Sequence, residues 1–133
     1  MRGSNLPSAL EKRDLLNSGD VSRAELVVLG DRFLEAALVH DATDFYAKAE
    51  AREAMTELLA PARAEGDVFW YRRLAASLAL EPTPQEWLAL AEQAEKLGKY
   101  RFALRGYHLA GAQEKEERLR DMLNAPVSAA LVS

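Results

Sequence analysis

Apolar residues recur along this chain at intervals of three, four and seven, and no segment alternates as a strand would. The stretch TPQEWLALAEQAEKLGKYRFALRGYHLAGA, residues 83–112, carries the pattern most clearly. A helix turns by about 100° per residue, so Trp87, Leu90, Ala91 and Ala94 share one face. Gly98 follows, a residue suited to the left-handed turn that ends a helix. Tyr100 opens the next helix, and Ala103, Tyr107 and Ala110 line its inner face. Small residues at Ala91 and Ala103 let two antiparallel helices approach closely, while Trp87 and Tyr107 fill the space beside them.

Punctuation divides the rest of the chain into similar pieces. Ser8-Ala9-Leu10-Glu11 reads as a capping box, in which the Ser and Glu side chains satisfy each other's backbone donors. Its helix stops at Asn17-Ser18-Gly19-Asp20. Ser22-Arg23-Ala24-Glu25 is a second box. Thr83-Pro84-Gln85-Glu86 is a third, with proline at the first helical position, where no N–H is needed. The pattern predicts helices near 8–17, 23–37, 39–49, 51–65, 67–80, 84–97, 100–111 and 112–123. Pro61 falls inside the fourth, which either bends there or stops at Ala60.

Sliding the chain on itself by 61 residues exposes an internal repeat. Glu25 falls on Glu86, Leu29 on Leu90, Ala42 on Ala103, Tyr46 on Tyr107 and Ala49 on Ala110. Leu58 falls on Leu119. Two helix pairs fit into each such period, which makes repeat architecture the first fold to consider. A single hairpin has an apolar face it cannot cover, and stacking a second hairpin on it buries that face.

These hairpins resemble the tetratricopeptide repeat (TPR), a helix–turn–helix unit. Trp87, Leu90, Gly98, Tyr100, Ala103, Tyr107 and Ala110 stand at the motif's spacings. Leu29, Gly30, Phe33, Ala42, Tyr46 and Ala49 match it a second time, and Leu78 to Pro82 resemble the motif's close. Lys115 stands where the third unit's closing proline is expected. The resemblance implies an all-α, right-handed TPR-like solenoid in one domain over residues 1–133. Its parts are an N-terminal helix, about three hairpins at 22–50, 51–82 and 83–111, a capping helix at 112–123 and a tail at 124–133. It also implies a concave groove lined by the first helix of each hairpin. By position these residues are Val27, Asp31, Leu34 and Glu35, then Glu53, Thr56 and Arg63, then Gln85, Leu88, Glu92, Glu95 and Lys96. Asp31, Glu35, Glu53, Glu92 and Glu95 make that surface acidic, so the expected partner is a basic or amphipathic segment.

Composition narrows the function by exclusion. At 133 residues the chain can bury a core without disulfides or metal, and it has no cysteine. The absence of cysteine fits a reducing, cytoplasmic setting. Net charge is −4 with both signs interspersed, which argues against nucleic acid. No apolar run reaches the length of a membrane span, and the start lacks the apolar core of a signal peptide. His40 and His108 belong to no metal-binding spacing and read as surface residues. Glu114, Glu116, Glu117 and Asp121 alternate with Lys115, Arg118 and Arg120. The pairs Glu114–Arg118 and Glu116–Arg120 are expected on a solvated helix. No nucleophile–base pair is visible, so neither enzyme activity nor a cofactor is expected.

Phe69, Trp70 and Tyr71 are consecutive and cannot all enter one core. One is expected to be partly exposed; either two hairpins sandwich this helix and use two of its faces, or the three form a candidate aromatic anchor for a partner. The function expected is a non-enzymatic adaptor or scaffold that grips another protein's peptide or helix. Two alternatives stay open: a small secretion-type chaperone for an unstable partner, expected as a homodimer, and a structural or regulatory module that self-associates through its ends, with the apolar tail Val127–Val132 covering an open solenoid edge.

Overall fold

The computed structural model describes residues 6–125. Among the described residues there are eight helices and no strand: α1 (Ala9–Asn17), α2 (Arg23–Glu35), α3 (Val39–Lys48), α4 (Arg52–Ala64), α5 (Val68–Ser77), α6 (Pro84–Lys96), α7 (Tyr100–Ala110) and α8 (Gln113–Asn124). The tail from residue 126, with its apolar run, lies outside the described residues. The sequence leads one to expect a single domain. By their contacts the described residues fall into two compact units that divide between Leu58 and Leu59, inside α4 rather than in a linker.

The predicted caps form, with one difference. Ser8 accepts from the Glu11 amide at 3.2 Å, and Glu11 accepts from the Ser8 amide at 2.9 Å, a complete capping box. Ser22 accepts from the Glu25 amide at 3.1 Å, but its hydroxyl rather than its backbone donates to the Glu25 carboxylate. Thr83 accepts from the Glu86 amide, with Pro84 in the first turn. Helix α4 does not stop at Ala60. It continues through Pro61 to Ala64.

Helices α2 to α7 all end alike. One residue enters the left-handed region, its amide bonds back to the third residue before it, and the next amide bonds back five residues. The turning residues are Ala37, Glu50, Gly66, Ala79, Gly98 and Gly111, with φ between 54° and 75°. The longer bonds, such as Leu38 to the Phe33 carbonyl and Lys99 to the Ala94 carbonyl, span 2.8–3.0 Å. This is the Schellman closure, which satisfies carbonyls that the helix itself leaves orphaned.

In the first unit α2 packs on α3, and α1 packs on α3. Leu26, Phe33, Ala42, Phe45 and Tyr46 are buried, and the Phe33 and Phe45 rings stack at 5.3 Å. Gly30 lies under Tyr46, where an added Cβ would sit 2.6 Å from the ring. Lys12 of α1 fixes the α1–α3 contact by donating to both Asp41, at 2.6 Å, and Asp44.

In the second unit α6 packs on α7, with α5 and α8 each against α7. Ala91, Ala94, Ala103, Tyr107 and Leu119 form the buried centre, joined by Leu88, Phe102, Leu104 and Ala112. Helices α6 and α7 approach closely at Ala91 and Gly106, where an added Cβ would meet the Ala91 Cβ at 2.7 Å. Ala103 is fully buried beside it. The turn at Gly66 presses on α6, with an added Cβ only 2.6 Å from the Ala94 amide nitrogen. Gln93 and Lys99 donate to the Ala64 and Glu65 carbonyls at 2.8 Å, so α6 and its following turn help cap α4.

Candidate functional site

The groove residues expected from the sequence sit on helix faces that are exposed or half-buried. Val27, Asp31, Leu34 and Glu35 lie together on α2, and Gln85, Leu88, Glu92, Glu95 and Lys96 on α6. These two sets belong to different compact units. Glu53, Thr56 and Arg63 are exposed on α4. Much of the acidity expected of them is already engaged within the chain. Asp31 accepts from the buried Tyr46 hydroxyl at 2.5 Å. Glu95 accepts from the Tyr107 hydroxyl at 2.6 Å and from Arg118 at 2.9 Å. Lys115 stands 3.6 Å from Glu92. Arg63 donates to the Tyr71 hydroxyl and lies 5.1 Å over its ring. Leu88 packs on the core.

These contacts shift the groups involved. Arg118 first, then Tyr107, hold the Glu95 carboxyl below its ordinary value, outweighing its partial burial. Burial, then the bond to Glu95, pushes the Tyr107 phenol up to about 12. Burial and the bond to Asp31 push Tyr46 up as well. Each phenol is therefore held as a hydrogen-bond donor to a carboxylate, a structural role.

Two expectations need correction here. Arg118 does not pair with Glu114. It reaches across to Glu95, because α8 packs against the hairpin rather than standing alone in water. The second expected pair, Glu116–Arg120, forms at 2.7 Å. The aromatic anchor is the other correction. Trp70 and Tyr71 are 1% and 2% exposed, since they occupy two inward directions of α5, and Tyr71 meets Trp87 edge-on. Neither is available to a partner. Phe69 points away from them and is 45% exposed, with its ring against Phe102.

Around Phe69 lies a site that the sequence reading passed over. A cleft of about 460 Å³ is lined by Phe69 of α5, by Arg101, Leu104, Arg105 and His108 of α7, and by Glu116 and Arg120 of α8. The four α7 residues are spaced by three, four and seven, so they share one face, turned away from Tyr107. Glu116 sits at one end, accepting from Arg120 and lying 3.4 Å from the His108 Nδ1. Arg120, chiefly, and then His108 draw its carboxyl below the ordinary value, against the effect of burial. Among the described residues no carboxylate pairs with Arg101 or Arg105, and the Arg105 Nε is buried without an acceptor. The signal was legible as the Arg101–Leu104–Arg105–His108 spacing. Taken alone, as a surface residue outside any metal-binding spacing, His108 gives no sign of it.

No three His, Cys, Asp or Glu side chains among the described residues gather to hold a metal ion. Among the same residues no helix is long and apolar enough to cross a membrane. A scan against protein-family models and searches of curated proteins and of solved structures each returned no match.

Proposed function

We propose that this chain is a non-enzymatic interaction module, an adaptor or scaffold that holds a peptide or helix of another protein. In this reading its hairpins are units of a TPR-like solenoid working in the cytoplasm. The supporting observation is the α5–α7–α8 cleft. It combines an exposed aromatic ring, an aliphatic floor and two guanidinium groups, Arg101 and Arg105, that no described carboxylate pairs, the side-chain types enriched where proteins bind one another. The polar constellations beside it, Tyr107–Glu95–Arg118 and Glu116–Arg120, are bonded among themselves and hold helices in place. The expectation of a basic partner loses force, because Asp31, Glu92 and Glu95 already have partners in the chain.

The test is a selection from a random peptide display library against the full chain. Recovered peptides are then titrated in solution by calorimetry. Enrichment of peptides with saturable, one-to-one binding supports the module. If nothing enriches above bare resin, the module reading fails.

A further inference from the structure

We propose that the α5–α7–α8 cleft is a docking site for an acidic peptide segment, its carboxylates on Arg101 and Arg105 and an apolar side chain against Phe69 and Leu104. This rests on the interaction-module reading and names the chemistry of the partner.

The internal repeat supplies the first argument. Asp44 of α3 occupies the position that Arg105 occupies in α7, 61 residues on, and Asp41 the position of Phe102. On α3 the acidic face is covered by a short helix, α1, whose Lys12 reaches both carboxylates. On α7 the equivalent helix is α5, whose Phe69 meets Phe102, while Arg105 replaces Asp44 with the opposite sign and no described carboxylate meets Arg101 or Arg105. In the first unit the charge at this repeat position is thus met by opposite charge from a neighbouring helix, and in the second no described residue meets it. Complementary charge of this kind fixes register and raises the association rate.

The second argument is the cleft's own carboxylate. Glu116 shows that an acid fits among these cations, since Arg120 and His108 converge on it. Arg105 is half-buried and its Nε has no acceptor among the described residues, so its partial desolvation is not offset within them. Guanidinium groups suit carboxylates because the planar fork can bond both oxygens. The third argument separates peptide from nucleic acid. The cleft itself offers few cations in a chain with net charge −4, and phosphate backbones need a longer basic track. Phe69 and Leu104 offer a floor for an aliphatic side chain.

The probe is a short labelled peptide with two glutamates four residues apart around a leucine, followed by fluorescence anisotropy with the full chain. Its lysine counterpart and a single-stranded oligonucleotide serve as rivals. The glutamate peptide should bind best, and more weakly as salt rises. Arg101→Glu should weaken it by at least about tenfold, and Phe69→Ala several-fold. Arg105→Glu should act like Arg101→Glu. If it unfolds the chain by circular dichroism, the exposed Arg101 decides. Unchanged affinity in Arg101→Glu, equal binding of the lysine peptide, or tighter binding of the oligonucleotide would each overturn the proposal. So would failure of the glutamate peptide to bind while display-selected peptides bind, which leaves the module reading standing. If no peptide of either origin binds, both readings fall.

Discussion

The hairpins α2–α3 and α6–α7 share a repeat, a turn and a buried tyrosine, yet they fill their interiors in opposite ways. In the first, Phe33 and Phe45 stack across the helices. In the second the equivalent residues are Ala94 and Gly106, both small, and backbone takes the place of rings. The Gly66 turn closes on Ala94, and Gly106 lets α7 close on Ala91. The tyrosine is anchored both times by a carboxylate, but from different turns of the first helix: Asp31 for Tyr46, and Glu95 rather than Glu92 for Tyr107. What the repeat preserves is a set of requirements: filled volume, a satisfied phenol and a closed helix end. The residues that meet them are exchanged.

The largest test of this contrast is Phe33→Ala. It should cost about 3–5 kcal/mol, since a buried stacked ring leaves a cavity. Combined with Phe45→Ala the loss should be less than the sum, because the two rings touch. Urea unfolding measures both, and a loss under about 1 kcal/mol would show that the first hairpin is not ring-filled. Next comes Gly106→Ala. Alanine is the better helix former by about 1 kcal/mol, yet the contact with Ala91 involves backbone and should reverse the sign, for a net loss of about 1–3 kcal/mol. Gly30→Ala should be milder, because the obstacle is the Tyr46 ring rather than a helix backbone. A stabilised Gly106→Ala variant would break the distinction.

Smaller effects come from the tyrosines. Tyr107→Phe should remove about 1 kcal/mol through loss of one bond to a carboxylate. The phenol's folded value is raised from 10.0 to about 12. Its contribution is therefore complete below pH 10 and disappears as pH rises through 12. Ultraviolet titration of the native chain should show this late ionisation, and Glu95→Gln should advance it. Glu95 behaves in the opposite sense. Its lowered value means that its contribution is present above the ordinary 4.5 and lost as pH falls below it. The smallest effect is an exchange at the turns. Ala37 and Gly98 are equivalent, and both are left-handed, at φ 61° and 75°. Ala37→Gly should stabilise by up to about 1 kcal/mol, and Gly98→Ala should destabilise by a similar amount. Thermal melting of the pair checks it, and equal melting temperatures would mean the turns carry no strain.

The helices were legible because their signals are local. Periodicity, Ser8, Ser22, Thr83 and Gly98 place the elements to within a few residues. The turns at Ala37, Glu50 and Ala79 were not recognisable as left-handed, since nothing in an alanine or glutamate announces that geometry. Arg118 was paired with Glu114 because a one-dimensional rule sees only its own helix, while Glu95 lies on another. The cleft was hidden for the same reason. Its arginine spacing is local, but its concavity needs Phe69 from α5 and Glu116 from α8, brought to α7 by packing.

The three-residue turns that join α2 to α3 and α6 to α7 also govern the order of events when the chain folds. Partners separated by so short a connection meet after little loss of chain entropy, so each hairpin can close before distant segments arrive. Hairpin closure is then expected to be early and fast, and α8, which docks on an existing α7, comes after it. Native-state hydrogen exchange should accordingly divide along these lines, with α8 amides opening at lower free energy than those of α6 and α7.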